Sequence, residues 1–103
     1  MADELKVIEG TLTDIEDTLY TAPLERALII SELRLTNKSE DNVIATIKVG
    51  DDTVIFPNKE IEGNDGYVQA GIHTQVLAEK TIKGEAGKND AIDYYISGIE
   101  VDA

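Results

Sequence analysis

The chain has 103 residues and a mass of 11.2 kDa, which suffices for one domain with one hydrophobic core. Its 21 acidic residues outnumber its 9 lysines and arginines, and the net charge of −12 argues against nucleic acid and anionic membranes as partners. It has no cysteine and one histidine, which excludes thiolate sites and disulfides and leaves no support for histidine-based catalysis. We therefore expect a single domain over residues 1–103 that is not an enzyme and binds no cofactor.

The beginning of the chain has neither the basic nor the apolar segment of a secretory signal, so the sequence predicts synthesis in a cytoplasm. Its longest apolar run, residues 27–30, is far shorter than a membrane span. Residues 1–12 form a candidate extended N-terminal arm. Such an arm would add a strand to the sheet of a neighbouring subunit.

Stretches rich in isoleucine, valine and threonine then alternate with turns, which is typical of strands. Strands are predicted over residues 43–49, 53–56, 72–77, 80–82 and 92–101, with weaker candidates at 5–12 and 18–21. The first two of these are expected to form a hairpin. Many short strands with short turns predict an all-β fold, an antiparallel β-sandwich of jelly-roll type.

Residues 24–35 fit two patterns. Leu24, Leu28 and Leu35 approach helical spacing, and Pro23 suits the first position of a helix. A strand instead places alternate residues on one face, namely Ala27, Ile29, Ser31, Leu33 and Leu35. We favour the strand because the rest of the chain has β character.

The last predicted strand changes its apolar phase. Ile92 and Ile96 lie on one face, whereas Ile99 and Val101 lie on the other. The change falls at Gly98. A β-bulge at this glycine would produce such a shift.

One acidic turn offers candidate metal ligands. Glu62, Asn64 and Asp65 are candidates for an irregular calcium site, and Asp51-Asp52 offers a similar cluster. The EF-hand pattern fails because glycine and glutamate are missing from their required positions. Since Asp, Asn and Gly are typical of turns, we interpret both segments as turns and expect no bound metal.

Catalytic chemistry finds little support elsewhere in the sequence. The acidic residues are scattered rather than paired, so a solvated surface is favoured over a hydrolase that uses two carboxylates. His73 stands alone in a predicted strand, which favours a structural role. A glycan-binding module would need an aromatic platform, but Tyr94 and Tyr95 are adjacent in a strand and should point to opposite faces.

Apolar residues on outward strand positions are the candidate contact residues of the domain. We expect Leu28, Ile30, Ile44 and Tyr95 to lie on outer faces, joined by Leu5 and Val7 of the arm. These six residues are the predicted interface with other subunits.

Four segments of the sequence carry a family resemblance. They are TLYTAP at 18–23, IISELRLTN at 29–37, VLAEKTI at 76–82 and YYISGIEV at 94–101. Their order and spacing resemble small virion proteins of tailed bacteriophages, over most of the chain. The family pattern has glycine or alanine with a lysine after LYT-x-P, whereas this chain has Leu24-Glu25-Arg26. The resemblance implies a β-sandwich attached to a phage particle, often as a trimer, with no catalytic residues.

The sequence and the resemblance together predict a capsid decoration protein that binds the outside of the capsid lattice and reinforces it. Its expected partners are the major capsid protein and sister subunits in a homotrimer, with no nucleic acid and no membrane. The expected location is the exterior of the virion. The alternatives are a tail, neck or baseplate component and a glycan-binding β-sandwich.

Overall fold

A computed structural model describes residues 3–50 and 53–102, apart from the side chains of residues 57–58 and 70–73. These residues form eight strands and contain no helix that could cross a membrane. The strands are β1 Glu4–Thr11, β2 Asp17–Thr21, β3 Arg26–Asn37, β4 Val43–Gly50, β5 Thr53–Ile61, β6 Gly66–Val76, β7 Thr81–Ala86 and β8 Ile92–Asp102.

The strands make two four-stranded sheets that pack face to face. The first sheet has the order β1-β8-β3-β6 and the second the order β2-β7-β4-β5, with neighbouring strands antiparallel. Consecutive strands therefore cross between the sheets, except at the β4–β5 hairpin, which the sequence predicts. This strand order is that of an eight-stranded jelly roll, so the predicted all-β sandwich is confirmed.

The core lies between the two sheets and draws on the inner face of each. Leu33 and Ile96 enter it from the first sheet and Ile47 from the second, each at most 1% exposed. Phe56 of β5 contacts Tyr67 of β6 edge to face, with ring centroids 4.8 Å apart. Interdigitation of the two inner faces is typical of a sandwich core.

The segment over residues 24–35 is a strand from Arg26 onward, as favoured, but the predicted facing of its first half is wrong. Leu28 and Ile30 are both 0% exposed and lie in the core rather than on the outer face. The register with β8 shifts between Ile30 and Glu32, so Ser31 is an extra residue in β3 relative to β8. This bulge brings the second half of β3 back to the same inner face.

The bulge predicted in β8 at Gly98 is also wrong, because the irregularity lies in the neighbouring strand. Strand β8 pairs with β1 without any shift in register. The shift lies in β3, where Ser31 is the extra residue between Ile30 (paired with Gly98) and Glu32 (paired with Ser97). Gly98 therefore lies beside a bulge, but the bulge belongs to the neighbouring strand β3.

The sequence predicts an extended arm over residues 1–12, but residues 4–11 of this segment are a strand of the domain itself. Residues Glu4–Thr11 pair with β8 of the same chain along their whole length, from Glu4 opposite Glu100 to Thr11 opposite Asp93. The segment is thus an edge strand of its own sheet. Strand β6 also begins earlier than predicted, at Gly66.

Candidate assembly surface

A row of apolar side chains lies near one end of the outer face of the first sheet. The strand register places Leu5 of β1 opposite Ile99 of β8, and Ile99 opposite Ile29 of β3. Leu5 is 73% exposed and Ile99 is 45% exposed, while Ile29 is half-buried. Opposed Cβ atoms in antiparallel strands lie about 4.5–5.5 Å apart, so these side chains form a continuous strip.

Val7 extends this strip along β1. It points to the same outer face as Leu5 and is 48% exposed. We call Leu5, Val7, Ile29 and Ile99 the apolar patch. The residue opposite Val7 is Ser97, so the patch and this neighbour carry no charge in a chain with a net charge of −12. Contiguous exposed apolar surface is typical of an interaction site.

The other predicted contact residues lie outside the apolar patch. Ile44 is 40% exposed on the outer face of the second sheet, opposite Glu60. The whole sandwich separates it from the apolar patch. Leu28 and Ile30 are core residues and cannot contact a partner while the domain is folded. A contact role for Leu5, Val7, Ile44 and Tyr95 stays a prediction.

Tyr95 lies on the same outer face as the patch, beside a shallow groove of about 450 Å³. The Arg34 guanidinium lies over the Tyr95 ring, 5.5 Å from its centroid, which hinders stacking of a sugar on that ring face. The Thr11 hydroxyl donates to the Asp93 carboxylate at 2.7 Å, and this bond and the Lys38 ammonium lower the pKa of Asp93. The residues lining the groove are Glu9, Gly10, Thr11, Arg34, Thr36, Asp93, Tyr94 and Tyr95.

The two adjacent tyrosines lie on opposite faces of β8, as predicted. Tyr94 packs against the core, whereas Tyr95 contacts Arg34 on the outer face. The pair therefore cannot form a two-ring platform for a glycan.

The candidate calcium ligands lie in the β5–β6 loop, where they stabilise the turn. The Asp65 carboxylate accepts a hydrogen bond from the backbone N–H of Gly66 at 2.8 Å. Asn64 adopts a left-handed φ of 58°, and its N–H donates to the Ser39 carbonyl at 2.9 Å. No three His, Cys, Asp or Glu side chains come together as a metal site within the described part of the chain. Three residues considered in the sequence have side chains outside that part: Asp51, Asp52 and His73.

Asn37, at the end of β3, is a buried polar anchor that the sequence analysis did not single out. Its amide nitrogen donates to the carbonyls of Asp41 at 2.7 Å and Ile61 at 2.9 Å. Its amide oxygen accepts from the N–H and hydroxyl of Ser39, so the side chain joins the β3–β4 loop to the end of β5. Strand alternation was the available signal, because Asn37 continues the inward-facing series of β3.

A second buried polar cluster joins the two sheets at the opposite end of β3. Arg26 and Glu100 are 4% and 5% exposed, and the Arg26 Nε donates to the Glu100 carboxylate at 3.1 Å. The Tyr20 hydroxyl, from the second sheet, donates to the other carboxylate oxygen at 2.7 Å. The bonds from Tyr20 and Arg26 lower the pKa of Glu100, while burial and this carboxylate raise the pKa of Tyr20. Glu100 shares its strand parity with Ile92 and Ile96, which was the sequence signal for an inward position.

No protein-family model matches the chain, and a search of curated protein sequences finds no match. Solved structures share its architecture. The Drosophila NLP core, described in terms of pentamer formation and histone binding, is 16% identical with a TM-score of 0.55, covering 93% of this chain and 98% of that one.

Two bacteriophage capsid structures are similar to the same extent. The Helicobacter pylori bacteriophage KHP30 capsid is 10% identical with a TM-score of 0.54, covering 100% of this chain and 95% of that one. The cyanophage Pam1 capsid is 17% identical with a TM-score of 0.52, covering 95% of this chain and 84% of that one. The chain therefore has a jelly-roll fold that is also found in capsid proteins of phages.

Proposed function

We propose that the protein is a structural component of a bacteriophage virion that binds the outside of the capsid lattice as an oligomer. The observation that carries this proposal is the apolar patch, because its burial against another protein removes exposed apolar side chains from water. The fold shared with two phage capsid structures supports a virion role. The four segments that resemble small virion proteins support the same role.

The proposed arrangement uses both outer faces of the sandwich. The apolar patch contacts the capsid, while Ile44 and Tyr95 contact sister subunits in a trimer that forms on the particle. Many copies with modest individual affinity then bind together strongly, because linked contacts raise the effective concentration. The net charge of −12 favours solubility at high copy number and disfavours contact with packaged DNA. No catalytic step is needed.

The test is whether the chain is present on the outside of virus particles. Particles from cells that carry the gene are purified on a density gradient, probed with an antibody to the chain, and labelled with a membrane-impermeant biotin reagent. We expect the chain to sediment with intact particles and to take up biotin before the particles are opened. Its absence from purified particles would contradict the proposal.

Electron microscopy of antibody-labelled particles separates the head from the tail. Label spread over the head, with density at threefold positions, agrees with a decoration trimer. Label confined to the tail or neck instead favours the alternative of a tail, neck or baseplate component.

A second candidate function is an acidic module that binds basic proteins. It is favoured by the net charge of −12 and by the similarity to the Drosophila NLP core, whose description includes histone binding. Titration of the protein with core histones at two salt concentrations distinguishes it. Tight binding that weakens steeply with salt supports the second candidate, whereas no binding at low salt excludes it.

A further inference from the structure

Strand β1 has an open edge whose backbone groups are ready for pairing. It lies at the end of the first sheet, with β8 on its other side. The Leu12 N–H donates to the Ile92 carbonyl at 2.8 Å, which continues the β1–β8 register. Because hydrogen-bonding direction alternates along a strand, the even-numbered residues of β1 face β8. The N–H and C=O groups of Leu5 and Val7 therefore point to the open edge.

The charge pattern of this edge is self-complementary. Glu4, Leu5 and Lys6 form the sequence acid–apolar–base. A two-fold axis through Leu5 would place this segment antiparallel to a second copy of itself. Each Glu4 would then lie opposite Lys6 of the partner subunit, and the two Leu5 side chains would face each other. Opposed charges of opposite sign stabilise antiparallel pairs.

We propose that a second copy of this chain pairs with the open edge of β1, antiparallel, about a two-fold axis at Leu5. The pairing joins the two first sheets into one sheet of eight strands and satisfies the edge-facing backbone groups of Leu5 and Val7 in both copies. It also brings the two apolar patches together on one outer face. The contact forms in solution and needs no particle, so it goes beyond the proposed function.

The proposed register is favoured over its nearest neighbours on charge. A shift that moves the axis to Lys6 places the two Lys6 side chains opposite each other, which is destabilising. A shift that moves the axis to Val7 places Leu5 opposite the partner's Glu9 and forms no ion pair. Only the axis at Leu5 pairs Glu4 with Lys6 twice. Since each copy carries a net charge of −12, a contact with matched charges offsets part of their repulsion.

Disulfide trapping tests the register. The chain has no cysteine, so each variant carries one thiol. In the proposed pair the two Leu5 Cα atoms lie about 5.5 Å apart, within the range of a disulfide. The two Val7 positions lie four residues apart along the strands, about 13 Å, which is beyond that range.

We therefore expect Leu5→Cys to form a dimer on a non-reducing gel after mild oxidation, at least tenfold faster than Val7→Cys. Ile15→Cys, in the β1–β2 loop and 73% exposed like Leu5, gives the rate of random collisions. Equal rates for all three variants would overturn the pairing. Faster trapping of Val7→Cys would overturn the axis at Leu5.

A charge exchange provides the second test and reports on unmodified association. Lys6→Glu places carboxylates opposite each other, and we expect the dimer dissociation constant, measured by sedimentation equilibrium, to rise at least tenfold. The double variant Glu4→Lys with Lys6→Glu restores both ion pairs and should return the constant to within threefold of the wild type. The proposal would be overturned if the double variant failed to restore the constant. It would also be overturned if the wild-type protein were monomeric at 100-fold the concentration used for trapping. Circular dichroism and thermal unfolding verify that each variant is folded.

The outcomes of these two tests can be distinguished from the outcome of the test for the proposed function. A protein that sediments with particles but fails both tests binds the virion without β1 pairing. A protein that passes both tests but is absent from particles forms the two-fold contact for another purpose. The two-fold contact uses one edge of each subunit, so it can also link neighbouring trimers on a particle.

Discussion

Gly98 of β8 lies against the backbone of Ile29 in β3, so closely that a Cβ at position 98 would be 2.3 Å from the Ile29 carbonyl oxygen. This close approach accompanies the bulge at Ser31, where β3 gains one residue relative to β8. The bulge in turn directs both halves of β3 into the core. The absence of a side chain at Gly98 of β8 thus allows the bulge in β3, and this bulge sets which side chains of β3 point into the core.

The first prediction concerns this glycine. We expect Gly98→Ala to lower the free energy of unfolding by about 1–3 kcal/mol, because the added methyl group meets backbone that cannot move aside. Gly87→Ala is the matched control, since the nearest atoms to a Cβ at position 87 lie 3.7 Å away. Urea unfolding of both variants measures the difference. An equal stability of the two variants would contradict the close approach.

The second prediction concerns the buried amide at the end of β3. Asn37→Ala removes the donors to the Asp41 and Ile61 carbonyls and the acceptor for Ser39. Each buried polar group left without a partner costs about 1–3 kcal/mol, so thermal unfolding should shift down by several degrees. Asn42→Ala removes only two solvent-exposed hydrogen bonds, to the Glu60 carboxylate and from the Gly63 N–H, and should cost less than about 1 kcal/mol. Similar shifts for the two variants would count against the anchor role.

The third prediction concerns pH. Because the Tyr20 hydroxyl and Arg26 lower the pKa of Glu100 in the folded state, its carboxylate stabilises the fold at pH values above the ordinary glutamate pKa of about 4.3. That contribution is lost as the pH falls below this value toward the lowered pKa. We expect Glu100→Gln to be less stable than the wild type at pH 7 and to lose less stability on acidification.

Urea unfolding between pH 7 and pH 3 measures this dependence. Glu40→Gln, in an exposed loop remote from the cluster, serves as the control and should follow the wild-type profile. If Glu100→Gln shows the same acid sensitivity as the wild type, the carboxylate does not carry this contribution.

The fourth prediction concerns the apolar patch. Ile99→Asp adds a charge to the patch, and we expect it to weaken binding to purified virus particles at least tenfold. Val68→Asp introduces the same charge at a residue of the same sheet that is 61% exposed but outside the patch, and it should bind as the wild type does. Co-sedimentation with particles measures both. Equal loss in the two variants would point to charge alone rather than to the patch.

The sequence supports the prediction of strands better than the prediction of their facing. Alternation and turn residues are local, so the β4–β5 hairpin and the strand over β3 could be predicted. The facing of Leu28 and Ile30 depends on Ser31, which becomes an extra residue only because Gly98, far away in sequence, allows the approach. The neighbouring strand β8 therefore determines which side chains in the first half of β3 face the core, and the local sequence pattern does not.

In the apolar patch, too, some residues could be predicted from the local sequence and others depend on tertiary pairing. Leu5 and Val7 are predicted as contact residues of an N-terminal arm, whereas the structure places them in β1 of the domain's own sheet. Ile99 and Ile29 join them only through the β1–β8–β3 register, which depends on pairings across most of the chain. Asn37 and Glu100 occupy inward positions that alternation marks, but their partners come from other strands and loops.

The place of β8 between β1 and β3 has a consequence for synthesis of the protein. Strand β8 is the last of the eight strands in chain order but an inner strand of the first sheet, so both of its neighbours are synthesised before it. Pairing of β1 with β8 closes a loop of nearly the whole chain, and such distant contacts make folding slow. A nascent or truncated chain that lacks β8 cannot complete the sheet. The outer face of the first sheet therefore assembles only after β8 has been synthesised.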